Sequence, residues 1–161
     1  MNSLLDNVFW HTLTGPHAKY AQGAHGARRY AKGFSVRLGP QHASQALQLA
    51  VLTNPGPLGQ RTIELGDYFG WFEGERLVAM AGERMHAGLL REVSGVCTHP
   101  DFQGRGLARR LMIKLIRRQM QRGETPFLHV MRANNGAHAL YERLGFRDYC
   151  ETIVRVVSLN A

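Results

Sequence analysis

The apolar positions of this chain recur with two periods, and the switches between them divide it into elements. Tyr68–Phe72 and Leu77–Gly82 are short apolar runs separated by Glu73-Gly74-Glu75-Arg76, the pattern of two strands joined as a hairpin. Glu92–Thr98 and Phe127–Met131 read as further strands, and Val36–Leu38 as a short one. Arg147–Leu159 holds enough β-branched residues for one or two more. Three segments follow the helical period. Gln41–Leu52 is stopped by Asn54-Pro55-Gly56-Pro57. Leu107–Arg122 sets Leu107, Leu111 and Leu115 on one stripe, with Met112 and Ile116 beside it and Gly123 placed to cap its end. Asn135–Leu144 closes on Gly145. The stretch up to Gly66 reads as a loop or short helix. Residues 1–34 show little periodicity and read as an irregular arm with at most one short helix, leaving 35–161 as a single domain.

Composition narrows the class. The chain has 161 residues, 44% hydrophobic, enough for one domain with a sizeable core. No apolar run is long enough to span a membrane, and the start lacks a basic segment followed by an apolar one, so a cytoplasmic protein with no membrane partner is expected. Cys97 and Cys150 are too few for a disulfide framework and form no metal-binding pair. The eight histidines contain no ligand spacing, so no metal is expected.

The net charge of +8 suits an acidic ligand. Between Arg105 and Arg122 lie seven basic residues and no acidic one. Those near the end of the helix oppose its negative dipole end, whereas Arg105 and Arg109, in the first turn, are better placed for ligand phosphates. Gln103-Gly104-Arg105-Gly106-Leu107-Ala108 joins a strand to this helix. Such a turn exposes backbone N–H groups that have no helical partner, and glycines let the backbone approach an anion closely. A phosphate or pyrophosphate ligand follows from this. The loop lacks the Lys-Ser/Thr ending of a nucleotide P-loop, and no nucleic-acid-binding motif accompanies the charge.

The second half resembles the GNAT superfamily of acyl-coenzyme A N-acyltransferases. Gln103–Ala108 matches the family's Q/R-x-x-G-x-G/A loop, and Asn134–Phe146 matches its N-x-x-A-x-x-L-Y-x-x-x-G-F segment. The resemblance covers roughly residues 36–157. It implies an α/β (mixed α+β) fold: a strongly twisted mixed sheet, flanked by helices, whose central strands splay apart to admit the cofactor. Here those strands are Glu92–Thr98 and Phe127–Met131. Relatives that begin with a segment like Leu5-Asp6-Asn7 followed by Trp10-His11 carry a longer insert before the core, whereas this chain runs almost directly from Phe34 into it.

The resemblance also implies roles. The amides of Gln103, Gly104, Arg105, Gly106, Leu107 and Ala108 hold the pyrophosphate of acetyl-coenzyme A. The backbone of Val96, Cys97 and Thr98 pairs with the pantetheine arm, and one amide there faces the thioester oxygen. Asn134 bonds the pantetheine or caps the following helix, and Ala137 faces the same cleft. Tyr141 is the general acid for the departing thiolate or packs on the sheet edge. Glu92 is the general base or a strand-end carboxylate paired with Arg91 or Arg84; His129 is the alternative base. Cys97 reads as a buried small side chain. The expected reaction is direct attack on acetyl-coenzyme A by a small-molecule or amino-acid primary amine. A protein N-terminus or lysine is the second reading and a non-catalytic acyl-coenzyme A sensor the third. No nucleic-acid partner is expected, and a homodimer is a candidate assembly. Acceptor choice is assigned to Leu52–Tyr68 and to a loop from Arg84 to Arg91.

Overall fold

The computed structural model describes the backbone of residues 6–13, and residues 33–154. Among the described residues there are seven strands: β1 Asp6–Leu13, β2 Phe34–Arg37, β3 Tyr68–Glu73, β4 Arg76–Ala87, β5 Leu90–Thr98, β6 Thr125–Met131 and β7 Phe146–Val154. Three helices lie between them: α1 Ala43–Thr53, α2 Leu107–Gln121 and α3 Asn135–Arg143. The strands form one sheet in the order β2-β3-β4-β5-β6-β1-β7. Neighbours are antiparallel except β5 and β6, which are parallel. The fold is the mixed α/β one that the sequence predicts, a mixed sheet flanked by helices.

Each face of the sheet buries one layer. Against one face, Leu107, Leu111, Met112, Leu115 and Ile116 of α2 pack on Phe69, Val78, Ala81, Val93, Leu128 and Val130, and α3 adds Tyr141 and Leu144. Against the other, Ala46, Leu49 and Ala50 of α1 pack on Tyr68, Phe72, Leu77, Met80 and Cys97. The periodicity places these helices because burying an apolar stripe is the dominant favourable term. α1 stops where Asn54 takes the left-handed conformation, with φ 47°.

Two expectations change. The segment Asp6–Leu13, read as irregular, is β1, a strand inside the sheet, antiparallel to β6 on one side and β7 on the other. Its alternation was obscured by a register shift at Trp10/His11. The residues between Leu13 and Gly33 and those after Val154 lie outside the described part, so a helix in the former and a further strand in the latter are not addressed. The segment Arg84–Arg91 is not a loop: β4 continues to Ala87 and β5 starts at Leu90, turning at Gly88 and Leu89. Polar residues prolong these strands because the hairpin's outer end is exposed on both faces.

The basic face of α2 has a definite use. Arg110 lies over the Trp71 ring, and Lys114 and Arg118 lie over Phe69. Lys114 donates to Ser35 Oγ at 2.9 Å, and Arg118 to Asp67 at 2.8 Å. Arg122 donates to Asp67 at 3.0 Å and also reaches Glu83 and Glu124. The end of α2 therefore binds buried carboxylates rather than only opposing the helix dipole. These cations cover the aromatic strand β3 with their stems and rings.

Candidate active site

β5 and β6 pair only at Leu90–Thr125, Arg91–Pro126 and Glu92–Phe127. Beyond Glu92 they diverge, while β6 stays paired to β1 as far as Met131. β5 is bent at the same place. Its register with β4 shifts between Met80 and Gly82, opposite Gly95, whose φ is +61°. A glycine in this left-handed state gives a bulge and a local kink. Among the described residues, the inner edge of β5 past Glu92 is thus left without a strand partner, the kind of edge to which an extended segment can add as a strand.

At the far end of this opening is the loop 103–108. Gly104 and Gly106 have φ of +74° and +73°, and a Cβ at either would meet nothing within 4 Å. Gly106 is the N-cap of α2. Among the described residues, no loop or cap backbone hydrogen bond is donated by Gly104, Arg105, Gly106, Leu107 or Ala108. These donors stand at the positive end of a 15-residue helix, a fit for a pyrophosphate. Gln103 ties the loop back by donating from Nε2 to the Thr98 carbonyl at 3.3 Å. Arg105 bonds the Asp101 carbonyl at 3.2 Å and lies over the Phe102 ring. Arg109 is exposed beside it.

Val96 is partly buried against the α2 layer, while Cys97 is buried in the α1 layer, where burial pushes its thiol up to about 11. Thr98 is half-buried at the end of β5. Tyr141, on α3, is buried and meets Phe146 edge-on with ring centroids 6.1 Å apart. Burial pushes its phenol up to about 12, and the Cys97 thiol adds to the effect. Asn134 accepts the Ala137 N–H at 3.1 Å through Oδ1 and so caps α3. Ala137 is half-buried below it.

Glu92 lies at the point of divergence and is 1% exposed. Arg84 grips it with two bonds, Nε to Oε2 at 3.0 Å and Nη2 to Oε1 at 2.7 Å. His129 Nδ1 is 2.8 Å from Oε1. Burial works to raise this carboxyl, but hydrogen bonds from His129 and then Arg84 hold it below the usual carboxylate range. Arg91 is committed elsewhere, to Glu124 at 2.8 Å. The structure thus brings together Glu92, His129 and Arg84 where the strands part, with the glycine loop beyond the end of β5, whereas Tyr141 is buried in the α2 layer against Phe146.

Tyr68 was not singled out from sequence, yet it reaches this site. Its hydroxyl is buried next to Gly95 and has no hydrogen-bond partner among the described residues. The available signal was Gly82 and Gly95 inside apolar strands, since an isolated strand glycine marks a bulge or a close approach. Among the described residues no three His, Cys, Asp or Glu side chains are placed to hold a metal ion. No described helix is long and apolar enough to cross a membrane.

Comparison with known proteins agrees with this fold. The family model for FR47-like protein matches residues 68–156. A GNAT-family protein from Novosphingobium aromaticivorans is 37% identical, with a TM-score of 0.78 over 93% of this chain and 63% of its own. A Drosophila protein shares the fold at 16% identity and TM-score 0.76, over 98% of this chain and 52% of its own. The ribosomal-protein-S18-alanine N-acetyltransferase of Escherichia coli is 25% identical, with a TM-score of 0.65 over 73% of this chain and 79% of its own. The chain therefore spans between half and two thirds of the first two. No curated protein matches its sequence.

Proposed function

The chain belongs to the FR47-like family of GNAT acetyltransferases, and from that premise we propose that it transfers an acetyl group from acetyl-coenzyme A to a primary amine of a small molecule or amino acid. The observation that carries this reading is the divergence of β5 from β6 immediately after Glu92, ending at the glycine loop. Acetyl-coenzyme A supplies the acetyl group as a thioester with a thiolate to leave.

The residues divide the remaining work. The loop 103–108 binds the pyrophosphate through backbone N–H groups, and the edge of Val96, Cys97 and Thr98 pairs with the pantetheine, holding the acyl group still. Much of the rate comes from that positioning. Asn134 has its Oδ1 occupied by the helix cap, which leaves its amide nitrogen to donate to the arm. The acceptor nitrogen forms its bond to the acyl carbon as the carbon–sulfur bond breaks. Tyr141 delivers its hydroxyl proton to the sulfur, which it can do at neutral pH because its raised pKa keeps it protonated. Glu92 and His129 act as a pair in taking the amine's proton. Glu92 already accepts bonds from Arg84 and His129 and is closed to solvent, so His129 carries the proton and the ionised carboxylate holds it in place.

A protein N-terminus as acceptor is the second reading, favoured by the 25% identity with an S18-alanine N-acetyltransferase. Free thiol release from acetyl-coenzyme A is the test, with small amines, amino acids and amino-terminal peptides as separate arms. Release with small amines supports the first reading, and release with peptides alone the second. Binding of acetyl-coenzyme A without release in any arm would mark a sensing module.

A further inference from the structure

Tyr68 begins β3 but does not stand over its own strand. Its register partner on β4 is Gly82, where a Cβ would fall 2.2 Å from the ring, and Gly82 in turn faces Ser94 on β5. The ring lies across β4 in that gap and ends at the β5 bulge. A Cβ at Gly95 would sit 3.1 Å from Cε1 and 3.3 Å from the hydroxyl. Two glycines on adjacent strands form the floor for this one tyrosine.

The hydroxyl is placed where no group among the described residues answers it. Tyr68 is fully buried, and Leu58 closes in beside Gly95. Among the described residues its oxygen has no hydrogen-bond partner, a costly state that a native fold keeps where a ligand or water completes the contact. Burial keeps the phenol protonated, and the charges that bear on it include Arg84 and Glu92. Arg84 only donates. The oxygens of Glu92, which would otherwise accept, are taken by Arg84 and His129. What the neighbourhood of the β5 bulge offers is therefore donors.

Building on the acetyltransferase reading, we propose that Tyr68 is a specificity-determining residue of the acceptor site, whose hydroxyl donates to a carbonyl or carboxylate oxygen next to the acceptor's amine. The acceptor class is then an amino acid or a derivative of one, rather than a simple alkylamine. A site built to hydrogen-bond a substrate group discriminates against the analogue that lacks it.

The test compares alaninamide with 2-aminobutane, which lacks the carbonyl, in the wild type and in Tyr68→Phe. The wild type is expected to favour alaninamide. In Tyr68→Phe the ratio of the two kcat/KM values should fall on the order of tenfold, with 2-aminobutane unchanged. Ligand-free Tyr68→Phe should melt at the wild-type temperature or above it, because the lost hydroxyl had no partner. An unchanged ratio overturns the proposal. So does an equal loss for both amines, which would place the hydroxyl on the acetyl donor, or a lowered melting temperature, which would reveal a protein partner. If the wild type releases no thiol with any amine, the acetyltransferase reading falls instead. Tyr68 is then judged by binding: stabilisation by alaninamide and not 2-aminobutane, lost in Tyr68→Phe, retains it, and its absence removes it.

Discussion

The carboxylate of Glu92 meets the imidazole of His129 at 2.8 Å across the gap where β5 and β6 separate. Glu92 belongs to the last paired rung, and His129 lies two residues beyond the other half of that rung, Phe127. The strand divergence and the dyad are thus one feature, and a ligand entering the gap comes directly against it.

Glu92→Gln should lower kcat by about 10²–10⁴-fold if the dyad takes the amine's proton. The deficit should shrink as pH rises, because more of the acceptor is then already neutral. The variant also leaves Arg84 without its counter-charge, which destabilises a protein by about 3–5 kcal/mol when the pair is buried. Adding Arg84→Met should restore stability without restoring rate. Parallel pH–rate profiles for variant and wild type would remove the dyad as the base.

Tyr141→Phe should cost a similar factor in kcat while leaving acetyl-coenzyme A affinity nearly intact, with no rescue at high pH. With its phenol pushed up to about 12, the wild type should keep this acid function through pH 10. The raised value also means that the tyrosine's share of stability is present below its ordinary pKa of about 10 and is lost as pH rises towards the folded value. A kcat that falls with an apparent pKa near 8 or 9, absent in Tyr141→Phe, would contradict the assignment.

Gly106→Asp should abolish the rise in melting temperature that acetyl-coenzyme A gives the wild type, because it sets a carboxylate against the pyrophosphate site. Each protein is measured against its own ligand-free value, since φ of +73° strains any side chain there. Equal ligand-induced shifts in both would dismiss the loop as the cofactor cradle.

Acid should unfold the protein through its paired carboxylates. Burial works to raise Asp67, Glu92 and Glu124, but hydrogen bonds from Arg118, from His129 and Arg84, and from Arg122 and Arg91 hold them below their ordinary values. Their contribution is therefore complete above the ordinary carboxylate pKa of about 4 and is lost as pH falls through the folded values. Urea titrations between pH 7 and pH 3 should show stability dropping below about pH 5, with a shallower drop in Arg122→Met. A flat profile would deny these pairs any net role.

Removing residues 1–13 should cost far more than trimming an arm. Leu128–Met131 has already parted from β5, so β1 is its only strand neighbour among the described residues. The truncated chain should melt lower by about 2–4 °C for each kcal/mol lost, or fail to fold, and aggregate through the exposed edges of β6 and β7. Folding of the whole chain should also be slow, because β1 pairs with β7 from opposite ends of the sequence. A truncated protein with wild-type stability would place β1 outside the cooperative unit.

Local sequence determined most elements and the cradle. The stripe Leu107, Leu111, Leu115 dictated a buried helix face, and Gly104 and Gly106 dictated a loop whose backbone can face an anion, because both depend on residues close in the chain. Asn134 before α3 and Gly145 after it are local for the same reason. Tertiary structure alone decided the rest. That Glu92 is gripped by Arg84 and His129, rather than by neighbouring Arg91, depends on which strands lie side by side. The basic run of α2 was visible, but its engagement with Trp71, Phe69 and Asp67 followed from the face that α2 turns to β3. Asp6–Leu13 gave no sign of being an inner strand, because a strand's partners are set by pairing at long range and not by its own composition. Tyr68 read as one apolar strand residue among several. Only the absence of side chains at Gly82 and Gly95, on two other strands, carries its hydroxyl to the β5 bulge.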